Sequence, residues 1–110
     1  MNQTIFDTIN NDIKNNDLVL YMKGTSDTPT CGFSATVVHI LKKLGVNFKD
    51  INVLADNEIR KGIKQFSNWP TIPQLYIKGE FIGGCDIVKE LYETGELLEL
   101  LKTKQIFTAV

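Results

Sequence analysis

The stretch Leu18–Val38, "LVLYMKGTSDTPTCGFSATVV", decides the fold. Leu18 to Met22 is a short unbroken apolar run, as expected of a strand buried on both faces. Lys23 to Thr30 is polar and holds Gly24 and Pro29, so it reads as a loop. Phe33, Val37, Leu41 and Leu44 then follow helical spacing, and Gly45 stands where such a helix closes. A strand therefore feeds, through one loop, a helix that begins at Cys31.

The same patterns continue on both sides. Upstream, Ile5, Ile9 and Ile13 form one apolar stripe on a helix spanning Asn2 to Asn16. Downstream, Asn47 to Val53 reads as a second strand, and Ile59, Ile63 and Phe66 mark a helix that must stop before Asn68-Trp69-Pro70. "PQLYIKGEFIGG", Pro73 to Gly84, is a hairpin turning at Lys78-Gly79, with glycine where positive φ is needed. Ile87, Val88 and Leu91 belong to a short helix ending at Gly95, and Leu97, Leu98 and Leu101 to a last one. The tail "KTKQIFTAV", Lys102 to Val110, fits no element. A β-α-β half joined to a β-hairpin-α half predicts an α/β fold of thioredoxin-like shape: a four-stranded mixed sheet flanked by helices.

At 110 residues the chain, 1–110, is expected to be a single domain with one hydrophobic core. Its 43% apolar and 23% charged content is that of an ordinary globule, and no stretch is long and apolar enough to span a membrane. A net charge of −1 offers no general attraction for nucleic acid or an anionic membrane. The opening "MNQTIFDTINNDIKN" lacks a basic start and an apolar run, which predicts a cytoplasmic protein. With 2 cysteines and no such leader, a disulfide scaffold is not expected, and one thiol is free to react.

Cys31 is the candidate. At a helix start, free N–H groups and the helix dipole favour a thiolate, and Lys23 at the end of the preceding strand adds positive charge. Ser34 stands where a Cys-x-x-Cys pair would place its resolving thiol, and a hydroxyl cannot attack a mixed disulfide. His39 is the sole histidine. Eight helical residues put it roughly 12 Å beyond Cys31, and a general base must lie within about 3 Å. It also falls off the apolar stripe, which makes it a solvated residue and argues against a Cys-His hydrolase. In "WPTIPQ", Trp69 to Gln74, Pro73 cannot donate to a ladder, and a cis bond there would turn the Ile72 backbone outward for an extended peptide. "GGCDIV" puts Gly83 and Gly84 before a helix start at Cys85 and Asp86, where backbone N–H groups bind carboxylates. Asp86 either accepts an ammonium or caps the helix.

Together, "LYMKG", "PTCGFSA", "NWPTIPQLYIKGEFIGGCDIV" and "GELLELL", in this order and spacing over nearly the whole chain, resemble the monothiol glutaredoxins with a Cys-Gly-Phe-Ser motif. The resemblance implies cis-Pro73 and a glutathione groove. Lys23 and Arg60 correspond to the residues that pair with the glycyl carboxylate of glutathione, and Ile72 to the one whose backbone pairs with its cysteinyl unit. Cys85 and Asp86 correspond to the helix start that holds the γ-glutamyl end. The resemblance also implies a [2Fe–2S] cluster, which needs four ligands: two Cys31 thiolates from a homodimer and two bound glutathiones. A cluster carrier working between an iron–sulfur scaffold and recipient apoproteins is the function it implies first. Glutathione-dependent thiol-disulfide exchange with Cys31 as catalytic nucleophile is the alternative, and a regulatory complex with a BolA-like protein is a third. Members with several domains carry an N-terminal thioredoxin-like extension, which this sequence does not show, and the tail has no implied role.

Overall fold

The computed structural model describes residues 3–110. Helix α1 (Gln3–Asn15) precedes strand β1 (Leu18–Met22), helix α2 (Gly32–Leu44), strand β2 (Lys49–Asn52) and helix α3 (Asn57–Ser67). Strands β3 (Gln74–Ile77) and β4 (Glu80–Gly83) form the hairpin, followed by α4 (Cys85–Glu93) and α5 (Glu96–Thr103). Asn2, the expected first residue of the first helix, lies outside the described residues.

The sheet order is β2-β1-β3-β4, with β1 parallel to β2 and antiparallel to β3. This is the mixed four-stranded thioredoxin-like sheet that the patterning predicts. β1 is central and every one of its residues is buried, which is why its sequence does not alternate. Successive residues face opposite layers: Leu18, Leu20 and Met22 join the core beneath α2, α4 and α5, while Val19 and Tyr21 join the one beneath α1 and α3. Ile5, Ile9 and Ile13 close that second layer, as their spacing requires. An aromatic chain runs through it, from Trp69 against Phe81 (6.0 Å between ring centres) to Phe81 against Tyr76 (5.3 Å) and Tyr76 against Tyr21 (5.7 Å).

Three expectations shift. β2 is shorter than Asn47–Val53, although Val53 N–H still donates to the Met22 carbonyl at 2.9 Å, so the pairing runs on past the named strand. Phe33 does not join its helical stripe: Val37, Leu41 and Leu44 are buried, whereas Phe33 is 63% exposed. It occupies the first turn of α2, where it lines a cleft rather than the core. The tail is ordered onto the fold. Ile106 is buried in the α2 layer, and Ala109 N–H donates to the Leu44 carbonyl at 3.0 Å, satisfying a group that the end of α2 leaves free.

Candidate functional site

The loop from β1 to α2 is fixed by its main chain. Gly24 has φ +87°, and a Cβ on it would meet the Thr28 carbonyl oxygen at 2.5 Å and the Thr30 nitrogen at 2.7 Å, so only glycine lets the loop close. Gly24 N–H donates to Asn52 Oδ1 (3.0 Å), Ser26 N–H to Asp50 Oδ2 (2.8 Å), and Thr30 N–H to the Lys23 carbonyl (3.1 Å). The loop thus delivers Lys23 and Cys31 to the same end of the sheet.

Cys31 is the N-cap residue of α2, with extended backbone (φ −141°, ψ 133°), and it is partly exposed. An N-cap side chain faces the free amides of the first turn. The Ser34 N–H above all holds the Cys31 thiol below its ordinary value; burial opposes it next, and the Phe33 N–H, the Lys23 charge and the Ser34 hydroxyl add to the lowering. The backbone therefore outweighs the lysine. Ser34 itself is fully buried, and its Oγ accepts the Lys23 N–H at 3.1 Å.

Opposite Cys31 stands the segment before β3. The Ile72-Pro73 bond is cis, and buried Gln74 supports the segment from below. The hairpin then returns the chain to the start of α4. Gly83 has φ +148°, and a Cβ there would lie 2.9 Å from Ile87 Cβ. Burial and the neighbouring Asp86 carboxylate push the Cys85 thiol up. The two cysteines are free and have opposite tendencies: Cys31 towards the thiolate, Cys85 towards the thiol.

These elements enclose a cleft of about 480 Å³, lined by Lys23 and Cys31, by Thr71, Ile72 and Pro73 of the cis-proline segment, and by Gly84, Cys85 and Asp86 at the start of α4. Five of the six residues singled out in the sequence, Lys23, Cys31, Ile72, Cys85 and Asp86, are in its lining. Arg60 is not among them, and Lys64, one turn later on α3, is. Lys23 and Lys64 supply positive charge, and Asp86 with the α4 start supplies a carboxylate and free amides, a lining that suits a zwitterion carrying a carboxylate and an ammonium. Phe33 (63% exposed), Trp69 (37%) and Ile87 (37%) add apolar surface around it. The sequence reading passed over Lys64, Thr71 and Ile87. Lys64 lies four residues after Arg60 and so on the same helix face, a signal it shares with any solvated lysine.

A thiol at the head of a helix and a cis-proline lining one cleft, on a β-α-β and hairpin sheet, place the chain in the thioredoxin-like class of folds. The glutaredoxin family model matches residues 18–82. A probable monothiol glutaredoxin 2 of Rickettsia conorii is 63% identical over 97 residues, covering 88% of this chain and 91% of that one. The solution structure of a truncated mutant of Trypanosoma brucei 1-C-Grx1, described as monomeric, superposes with a TM-score of 0.88 at 39% identity, covering 94% of each chain. A buckwheat glutaredoxin, in a crystal structure of its glutathione complex, superposes with a TM-score of 0.81 at 25% identity, covering 92% of this chain and 90% of that one. The chain belongs to the glutaredoxin family, with monothiol glutaredoxins among its close relatives.

Proposed function

We propose that this glutaredoxin binds glutathione along the cleft and, as two chains sharing one [2Fe–2S] cluster, carries that cluster from an assembly scaffold to recipient apoproteins. Glutathione fits the charge layout: Lys23 and Lys64 face its glycyl carboxylate, the Ile72 backbone its cysteinyl unit, and the Asp86 carboxylate with the α4 start its γ-glutamyl end. The buckwheat complex supports this ligand. Arg60 is assigned to the outer edge of the same cation group.

The observation that carries the cluster reading is Ser34, buried where a resolving cysteine would sit. Cys31 therefore has no internal partner of that kind and stays available as a ligand. Among the described residues no three His, Cys, Asp or Glu side chains converge on a metal site. One chain thus offers Cys31 alone with a preference for the thiolate, half of the protein thiolates in a site that needs four ligands. A two-fold dimer with two glutathiones completes the set. A BolA-like protein is a further partner that the same exposed thiolate would accommodate, and the cytoplasm is the proposed compartment.

The second reading, reduction of glutathionylated proteins, is favoured by the lowered Cys31 value. Its thiolate attacks the glutathione sulfur of a protein mixed disulfide, the protein thiolate leaves, and a second glutathione thiolate releases glutathione disulfide from Cys31. Anaerobic reconstitution with iron, sulfide and glutathione, followed by size exclusion and iron analysis, separates the two. A coloured dimer with two irons, formed only when glutathione is present, is expected. A colourless monomer with rapid reductase turnover would replace the carrier by the enzyme.

A further inference from the structure

We propose that Asn52 is the residue that positions Lys23 for a bound carboxylate: its side-chain oxygen holds the main-chain amide that follows Lys23, although Asn52 itself is not in the cleft lining. Asn52 is the last residue of β2 and pairs in register with Met22, the last residue of β1. Its side chain therefore starts beside the point where β1 gives way to the loop. An amide oxygen has two lone pairs, and Asn52 uses both: Oδ1 accepts Gly24 N–H at 3.0 Å and Leu54 N–H at 3.0 Å. One atom thus ties the loop after β1 to the turn after β2. Lys23 sits between Met22 and Gly24, and its own N–H and carbonyl are held by Ser34 Oγ (3.1 Å) and Thr30 N–H (3.1 Å). The chain leaving Lys23 passes at once into a glycine, which adopts positive and negative φ about equally well. What fixes Gly24 at φ +87° must come from its surroundings, and the Asn52 oxygen is the side-chain group that grips its amide. Lys23 lines the cleft. Asn52 acts on a ligand through it.

This inference rests on glutathione as the ligand of the cleft, and the experiment separates the two claims. Calorimetric titration with glutathione compares the parent, Asn52→Leu, Lys23→Ala and the double variant. Asn52→Leu nearly keeps the volume and removes the acceptor, so binding should weaken about three- to tenfold, the scale of one hydrogen bond. In the Lys23→Ala background the same substitution should change the affinity by less than about twofold, because residues that act through one group are not additive. A general support of the fold would cost the same in both backgrounds. A parent that takes up no glutathione overturns the ligand and this inference with it. A parent that binds, with equal losses in both backgrounds or no loss in either, overturns this inference alone. Amide exchange gives a readout that needs no ligand. The Gly24 and Leu54 amides should be protected in the parent, lose protection together in Asn52→Leu, and keep it in Asn52→Asp, which retains an acceptor oxygen. A Gly24 amide that exchanges freely in the parent overturns the proposal.

Discussion

Lys64 lines the cleft and Arg60, one helical turn before it on α3, does not. The two cations share a helix face, but only the later one is in the lining with Lys23, Trp69 and Thr71. We therefore propose Lys64, ahead of Arg60, as the second cation that meets a bound carboxylate. Lys64→Ala and Lys23→Ala should each weaken glutathione binding by about 1–3 kcal/mol, the scale of a charge-assisted hydrogen bond. Arg60→Ala should cost less than either. Calorimetric titration of the three variants checks the order, and an Arg60→Ala loss larger than that of Lys64→Ala would reverse the assignment.

Cys31 and Cys85 should separate cleanly by pH. The first-turn amides favour the Cys31 thiolate, and burial with Asp86 disfavours that of Cys85. Cys31 should therefore be alkylated with a midpoint below the free-cysteine value of about 8.5, and Cys85 more slowly and at higher pH. Mass spectrometry of partly alkylated protein reads both sites at once. The sign for stability follows. With its folded value below its unfolded one, Cys31 contributes stability above the unfolded value and loses it as pH falls through the folded value. Equal labelling of the two thiols at every pH would remove the electrostatic argument.

How much of this was legible in the sequence depended on what each residue reports. Ile5, Ile9 and Ile13, or Leu18 to Met22, declare their environment because burial selects their type and period. The Lys78-Gly79 turn was legible because main-chain geometry there demands positive φ, +80° at Gly79. Phe33 and Ile87 misled for the converse reason: an apolar residue at helical spacing looks like core, although both lie beside the cleft. Arg60 and Lys64 are indistinguishable by pattern, since both are cations on one face of α3, and only the folded chain shows that Lys64 is in the lining. The buried partnership of Ser34 with Lys23 spans eleven residues and leaves no periodic trace.

Gln74 should prove a structural support of the cleft. Its amide donates to the Trp69 carbonyl (3.1 Å) and the Thr71 carbonyl (3.2 Å), and its oxygen accepts the Tyr76 hydroxyl (3.3 Å), all from a fully buried position. Burial also pushes the Tyr76 phenol up to about 12, so that hydroxyl remains a donor across the working range. Gln74→Leu keeps the volume and strands the buried phenol. A loss of about 1–3 kcal/mol is expected, read as a clear fall in Tm, together with weaker glutathione binding because Thr71 and Ile72 lose their support. A variant as stable as the parent would show that water replaces the amide.

Ser34→Cys carries the argument about function to its end. A thiol at this position lies within one helical turn of Cys31 and can attack a mixed disulfide there, expelling glutathione thiolate and leaving a Cys31-linked disulfide. The same substitution weakens the contact with Lys23 N–H, because sulfur is a poorer acceptor. A modest loss of stability, about 1 kcal/mol, is expected from that contact alone. Two effects should appear together: faster glutathione-dependent reduction of a small disulfide, and a lower yield of reconstituted cluster under mildly oxidising conditions, since the internal disulfide removes the Cys31 ligand. Restoring the yield with a strong reductant would show that oxidation, not misfolding, was responsible. Unchanged reductase rate and unchanged cluster yield would mean that the buried position keeps the new thiol from Cys31, and that Ser34 does not decide between carrying a cluster and exchanging disulfides.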